Sequence, residues 1–321
     1  MSILVTGGAG YIGRYITDLL IEQNEEVIIV DNLSTGHISG VNKKALFYEY
    51  DIRDQEQLNE VFKVNKIDCV IHLAAKLSVE ESAKKPYEYY DVNVAGTLNL
   101  LKTMKKYNVK DIVFSSTAAV YGDADLSNKI DENYITDPVN VYGRTKLFGE
   151  KMIEDAKVYG LNYVIFRYFN VAGGNKKGYK IEQFTTLIPK VITAVHKDMP
   201  VTVYGNDYPS IDGTCIRDFI HVEDLAKAHI LAAKKLMSDA SNNISGIYNL
   251  GSSQGFSVLE IIKASEKAIG KNIEFIIGPR RQGDLFCSVA SSEKAFENFG
   301  WKTNINSVED IINDMWQKNT D

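Results

Sequence analysis

The segment TGGAGYIG (residues 6–13) restricts what this chain can fold into more than any other feature. It follows the apolar run ILVT and opens an amphipathic stretch over residues 11–23. Gly8, Gly10 and Gly13 satisfy GxGxxG, while Gly7, Gly10 and Gly13 satisfy the related GxxGxxG. Glycines allow so tight a turn from strand into helix, let the backbone approach a pyrophosphate, and let the helix pack on the sheet. The positive helix end, around Tyr11, Ile12 and Gly13, then lies at the phosphates. Such a turn on its own is more often a plain loop. Here Asp31 closes the second strand, where a carboxylate hydrogen-bonds ribose hydroxyls and repels a 2′-phosphate, which predicts NAD rather than NADP.

The rest of the first half fits that beginning. β-Branched runs at residues 3–6, 26–30, 46–50, 68–73, 111–115 and 163–169 alternate with amphipathic stretches at 11–23, 54–64, 87–107 and 141–159. This order predicts parallel strands joined by crossover helices, an α/β doubly wound sheet. VIIV and CVIHL are unbroken apolar runs, as expected of strands buried on both faces. Asp51 and Ile52, just after the third strand, are then expected near adenine, although an Asp there could also simply cap the helix starting near residue 54. Beyond residue 170 the alternation gives way to turn-rich pieces, NVAGGNKKGY, YGNDYPSIDGT and GPRRQGD. The expected division is a dinucleotide-binding domain at 1–170 and a smaller substrate domain at 171–321. A segment near 218–251, with a helix at about 222–236 and the YNLG strand, should return to the first domain.

Composition narrows the partners. The 321 residues carry a net charge of -6, which repels a phosphate backbone over most of the surface and argues against nucleic acid. Local arginines can still hold a small phosphorylated ligand. Cys69, Cys215 and Cys287 are far apart without CxxC spacing, and none of the five histidines has metal-ligand spacing, so no metal is expected. The cysteine usage, the lack of a visible signal peptide and the lack of a long apolar run make a reducing cytoplasm the expected compartment, with no membrane partner.

The chemistry concentrates in VFSSTAAVYG and VNVYGRTK, which supply Thr117 after a strand and Tyr142 with Lys146 on a helix. Four residues apart, Tyr142 and Lys146 leave one helical face. A YxxxK pair alone is usually surface decoration, and the glycine turn, Asp31 and the SST strand end give it a context. A free phenol titrates near 10, so a tyrosine acting as base at neutral pH needs roughly 4 kcal/mol of phenolate stabilisation. Lys146 and an oxidised nicotinamide would supply positive charge, and Thr117 a hydrogen bond at the reacting hydroxyl.

With these residues in view, the chain resembles the extended short-chain dehydrogenase/reductases and, within them, the UDP-glucose 4-epimerases along almost its whole length. The match is carried by TGGAGYIG, DNLSTGH, HLAA with VEES, KPYEYYDVNVAGTLNLL, FSSTAAVYG, YGRTK, FRYFNVAG, YGNDYPSIDGTCIRDFIHVEDLA, YNLGS and PRRQGD. The resemblance implies a Rossmann-type sheet with a smaller C-terminal α/β substrate domain, and bound NAD as a reversible hydride store. It implies that a UDP-hexose is oxidised to a 4-keto sugar, turned over and reduced on the opposite face. Tyr142 would be the base, Lys146 would tune it and hold the nicotinamide ribose, and Thr117 would contact the 4-hydroxyl. Asn32, Ser34, Thr35, Gly36, Leu73, Ala74, Ala75, Lys76, Asn93, Ser115 and Phe169 would join the cofactor contacts. Asn170, Thr186, Leu187, Thr202, Val203, Tyr204 beside uracil, Arg217 and Arg281 at the diphosphate, Asp284 at a ribose hydroxyl and Ser288 would line the sugar-nucleotide site. His221 and His229 match a structural helix, and a homodimer through the helices at 87–107 and 141–159 is implied.

Three departures from the family pattern stand out. Many members carry a nicotinamide-side lysine where this chain has Leu77, with Lys76 one position earlier. The loop at 174–184 is short and lacks an acidic GEDP-like piece. Ser288 occupies a position where a bulky residue closes the sugar pocket in some epimerases, so a small one implies room for N-acetylated sugars. Two rivals use the same scaffold: a 4,6-dehydratase, which would want acids where Ala118 and Ala119 stand, and an epimerase of a uronate or TDP-sugar. A third is a non-catalytic NAD-sensing protein, against which Thr117, Tyr142 and Lys146 all speak.

Overall fold

The computed structural model describes residues 1–122, 129–174, 186–238, 244–281, 285–305 and 307–317. Its first half runs β1 (Ser2–Thr6), α1 (Tyr11–Glu22), β2 (Glu26–Val30), β3 (Leu46–Tyr48), α2 (Gln55–Val64), β4 (Cys69–His72), α3 (Val79–Lys84), α4 (Pro86–Tyr89), α5 (Gly96–Lys106), β5 (Asp111–Thr117), α6 (Val141–Asp155) and β6 (Asn162–Tyr168). There follow β7 (Asn170–Ala172), α7 (Leu187–His196), β8 (Val201–Tyr204), β9 (Ile216–His221), α8 (Val222–Ser238), β10 (Gly246–Leu250), β11 (Gly255–Ser257), α9 (Val258–Ile269), β12 (Phe275–Gly278), β13 (Cys287–Ser288), α10 (Glu293–Phe299) and α11 (Val308–Gln317).

Seven strands form one parallel sheet in the order β10-β6-β5-β4-β1-β2-β3. Leu4 pairs with both Ile28 and Val70, so β1 is central, and the winding reverses between β1 and β4. A crevice at the carboxyl ends of the strands opens at such a reversal. The period of two divides the core between the faces. Ile3, Val5, Ile29 and Ile71 pack with Ile16 and Leu20 of α1 and Leu225 of α8, whereas Leu4, Ile28, Val70 and Ile112 pack with Leu58, Leu100 and Ile153 of α2, α5 and α6. At about 25 cal/mol per Å² of apolar surface removed from water, these doubly covered strands supply the main stabilisation. Trimming any of the fully buried isoleucines or leucines to Ala costs about 2–5 kcal/mol.

The helix starts are written locally. Asp54 accepts hydrogen bonds from the N–H groups of Glu56 and Gln57 and so begins α2. At α9, Ser257 and Glu260 form a reciprocal capping box, and Gly270 ends the helix in the left-handed region at φ 74°.

Outside the large sheet, β9 pairs with β7, β11 and β13, and β8 pairs in parallel with β12. β10, the strand carrying YNLG, pairs with β6 at the edge of the large sheet. No helix among the described residues is long and apolar enough to cross a membrane.

Several boundaries differ from the expected ones. β3 stops at Tyr48 and β5 continues through Thr117, because the ladder with β6 extends from Asp111 to Thr117. The helix expected over 87–107 is broken into α4, a π-helical segment Tyr90–Ala95 and α5. Asn93 lies buried inside that segment with its side chain drawn to neighbouring groups, and π turns of this kind gather at functional sites. The helix expected over 141–159 ends its α-helical part at Asp155 and finishes as the 3-10 turn Ala156–Tyr159. His221 closes β9 rather than belonging to a helix, whereas His229 lies within α8. The Nε2 of His221 meets Asp314 at 3.1 Å, and His221 sits in register with Ala172, where the strand pairing with β7 ends.

Candidate active site

The glycine turn sits where the crevice opens. Gly7 adopts φ 74°, and a Cβ there would come within 2.7 Å of the Ala74 backbone nitrogen. A Cβ on Gly13 would stand 2.3 Å from the Gly7 carbonyl oxygen, so neither position tolerates a side chain. Gly10 donates its N–H to Gly7, and the helical bonding of α1 begins with Arg14 donating to Gly10 at 3.1 Å. Tyr11, Ile12 and Gly13 form the first turn of α1, at its positive end. Across the turn, Leu73 extends β4 by donating to Thr6 at 3.0 Å, which brings Ala74 against Gly7. Ala75 follows in the same loop.

Asp31 closes β2 and is 8% exposed. Its carboxylate accepts from the Ala9 N–H at 3.0 Å and the Leu33 N–H at 2.8 Å; burial raises its pKa and these two bonds oppose the rise. Asn32, Ser34 and Thr35 are exposed on the same turn, and Gly36 lies against Ala9. Asn32 donates to Asp51 at 2.7 Å. Asp51 does not cap α2, since Asp54 does; it pairs with Arg53, whose guanidinium holds its carboxyl down at about 2. Ile52 is buried beside Gly96.

The catalytic candidates come from β5 and α6. Asn140 accepts the Gly143 N–H and starts α6, so Tyr142 sits in its first turn and Lys146 one turn on. Both are buried, at 9% and 3% exposure. Tyr142 donates its backbone N–H to Ser82 at 3.3 Å, anchoring α6 to α3. Burial pushes the Tyr142 phenol up to about 12, and a hydrogen bond with Thr117 pulls the other way. Thr117 ends β5 in register with Tyr168. Ser115, on the same strand, shares a short hydrogen bond with the Tyr168 hydroxyl, whose pKa burial raises. Burial drives Lys146 down to about 7 against the pull of Glu150, and its ammonium lies 4.4 Å from the Phe114 ring centroid.

Asn93 spans the two elements: it accepts the Lys76 N–H at 2.8 Å and donates to the Lys76 carbonyl and to the Thr145 hydroxyl at 2.9 Å. Its role in this structure is to brace the loop after β4 against α6. The Lys76 ammonium meets Glu88 at 2.6 Å and Glu81 at 3.5 Å, so acids of α3 and α4 engage its side chain. Leu77 is 61% exposed.

The sugar-nucleotide candidates fall on several elements. Phe169, buried beside Ala118 and Tyr121, donates its N–H to Leu250 at 3.2 Å, and Asn170 begins β7 by donating to the Asp218 carbonyl at 3.1 Å. Thr186 and Leu187 form the start of α7. Thr202, Val203 and Tyr204 lie on β8, with Val203 buried. Arg281 stacks over Tyr204 with its guanidinium carbon 3.7 Å from the ring centroid. Arg217 donates to the carbonyls of Ile216 and Leu285 at 2.9 and 2.7 Å, and Ser288 stands in register with it, 7% exposed. Asp284 lies outside the described residues, as does most of the loop at 174–184.

Two groups escaped the sequence reading. Asp218 accepts from the Ser252 N–H and hydroxyl, the Ser253 N–H and the Ala290 N–H at 2.6–3.1 Å, so it ties β9 to the turns flanking β11 and β13. Glu150 is fully buried and pairs with Arg167 at 2.6 Å, while the Ser116 hydroxyl donates to the same carboxylate. Both stood inside quoted or adjoining motifs, IRDF and a glutamate four residues beyond Lys146, and that spacing was the available signal. No group of three or more His, Cys, Asp or Glu side chains fit to hold a metal occurs among the described residues.

A glycine turn at a sheet reversal, an acid directly after the second strand and a Thr-Tyr-Lys set whose tyrosine and lysine are buried define a nicotinamide-dependent enzyme of the Rossmann type. The chain matches the NAD dependent epimerase/dehydratase family over residues 3–251 and belongs to it. It is 47% identical to the UDP-glucose 4-epimerase of Halalkalibacterium halodurans, covering 98% of this chain and 95% of that protein. A crystal structure of a UDP-glucose 4-epimerase superimposes with a TM-score of 0.93 at 43% identity, covering 100% of this chain and 99% of the other. The UDP-glucose 4-epimerase of Bifidobacterium longum, solved with NAD+ and UDP, gives 0.89 at 38% identity over 99% and 98% of the two chains. The protein is therefore an NAD-dependent epimerase.

Proposed function

We propose that the chain interconverts UDP-glucose and UDP-galactose, and also UDP-GlcNAc and UDP-GalNAc, through a 4-keto sugar. The observation that carries this reading is the grouping of Thr117, at the carboxyl end of β5, with the buried Tyr142 and Lys146 of α6, beside a turn in which Gly7 and Gly13 have no space for a side chain. Gly7, Gly10, Tyr11, Ile12, Gly13 and Asp31 fit the pyrophosphate and ribose of NAD, and Asp51 and Ile52 the adenine side. Ser115, Lys146 and the backbone of Leu73, Ala74, Ala75 and Lys76 face the other end. When bound, NAD supplies a reversible acceptor for the C4 hydride.

The chain's own task is the proton. Tyr142 takes it from the 4-hydroxyl, with Thr117 bonded to the phenol. Moving a phenol from about 12 to neutrality requires on the order of 7 kcal/mol of differential stabilisation. Positive charge in a dry site can furnish it, and Lys146, which burial lowers to about 7 against the pull of Glu150, is placed on the same helical face. A Tyr142→Phe variant is expected to keep its NAD, read by absorbance of the denatured extract, and to lose at least about a thousandfold in turnover. Turnover equal to wild type would remove Tyr142 from the reaction.

Arg217 and Arg281 fit a diphosphate, and Tyr204 offers a ring face to the base. Asn170, Thr186, Leu187, Thr202 and Val203 complete the lining in this reading. Ser288, small and beside Arg217, supports the N-acetylated substrates. In a Ser288→Tyr variant, the ratio of N-acetylated to plain turnover should fall about tenfold or more. An unchanged ratio would take the gate elsewhere. The exposed side chains of Leu98, Phe148, Val158 and Tyr159 on and after α5 and α6 support a homodimer through those helices.

A further inference from the structure

Tyr142, Lys146 and Glu150 stand at successive four-residue steps along α6 and so share one face of it. Glu150 is the deepest of the three, at 0% exposure, and its carboxylate is clamped. Arg167 Nε reaches its two oxygens at 3.0 and 3.2 Å, an Arg167 terminal nitrogen reaches Oε2 at 2.6 Å, and the Ser116 hydroxyl donates to Oε1. Arg167 is fixed in turn over the Tyr121 ring at 4.7 Å. A carboxylate held by three donors from β5 and β6 cannot swing toward Lys146, yet its charge acts on Lys146 through a dry interior.

We propose that Glu150 is a positioning residue whose fixed charge holds the proton on Lys146 to higher pH than burial alone would allow. This rests on the epimerase reading, in which Lys146 must be charged to favour the Tyr142 phenolate. The other titratable groups around Lys146 do not substitute for it. His72 on β4 hydrogen-bonds Thr6 and Thr97 and burial holds it down at about 3, so it is neutral. Phe114 on β5 offers only a ring face, and Tyr168 on β6 is kept neutral by burial and bonded to Ser115. Glu150 is the acid that raises Lys146 against its desolvation.

The sign follows. Lys146 is a base lowered by burial, so turnover should fail as pH rises through its pKa, and removing Glu150 should move that alkaline limb to lower pH. The test is turnover of UDP-galactose from about pH 6 to about pH 10 by wild type and Glu150→Gln, with NAD content measured alongside. The expected result is a downward shift of the alkaline midpoint by about one pH unit with NAD retained. A purely structural role would lower the yield or melting temperature and leave the midpoint in place, and an unmoved midpoint overturns the proposal. Should Glu150→Gln not fold, the double variant Glu150→Met with Arg167→Met removes both charges without stranding either, and a downward shift smaller than about one pH unit is expected because the opposing charge of Arg167 leaves with Glu150; no shift overturns the proposal. If wild type itself shows no turnover, the epimerase reading fails instead, and the two failures are told apart.

Discussion

Single residues here carry more than their local contacts suggest. Asp218 is fully buried, four donors converge on its carboxylate, and burial still pushes it up to about 6. An Asn at this position keeps one acceptor and turns an amide N–H toward the remaining donors, which costs about 2–4 kcal/mol. The pH dependence has a definite sign. The folded pKa lies above the ordinary value of 3.8, so between roughly pH 4 and pH 6 the folded chain holds a proton that the unfolded chain releases. Stability from this group is full below that window and declines as pH rises through it. The deficit of Asp218→Asn relative to wild type should therefore shrink by up to about 3 kcal/mol between pH 4 and pH 7 in urea titrations. A deficit that stays flat across that range would show that Asp218 does not titrate there.

At the scale of elements, the parts legible in the sequence were those whose signal is local. The glycine turn, the Asp54 cap and the apolar runs of β1, β2 and β4 each state their structure within a few residues. The class of fold and the grouping of Thr117, Tyr142 and Lys146 followed from them. The break between α4 and α5 was not legible. The residues KPYEYYDVNVAGTLNLL keep a helical period throughout, and the π turn arises because Asn93 is drawn to Lys76 and Thr145, which are distant in sequence. Lys76 shows the same limit. The family resemblance suggests a nicotinamide-side contact from a lysine next to Leu77, whereas in the structure the Lys76 ammonium meets Glu88 of α4. Ion-pair partners are a tertiary property that spacing does not reveal. The Asp218 and Glu150 clusters were missed for the same reason, as their partners come from four separate strands and turns.

For the molecule as a whole, one large sheet holds the dinucleotide cradle while the strands β7, β9 and β13 carry Asn170, Arg217 and Ser288 to the candidate sugar site. The exposed face of α5 and α6 has a testable consequence. Phe148 is 51% exposed and packs on Tyr90 at 6.1 Å between ring centroids. On the homodimer proposed above, wild type sediments as a dimer at micromolar concentration and Phe148→Glu as a monomer, with secondary structure unchanged. A variant that sediments like wild type would move the interface away from these helices.

In the proposed reaction one chain with its own bound NAD inverts C4 of a UDP-sugar. The most direct measurement is proton NMR of purified protein incubated with UDP-galactose and no added dinucleotide. The UDP-glucose anomeric signal should grow to an equilibrium mixture that is also reached starting from UDP-glucose. No inversion from either side, with NAD shown to be bound, would contradict the proposed reaction.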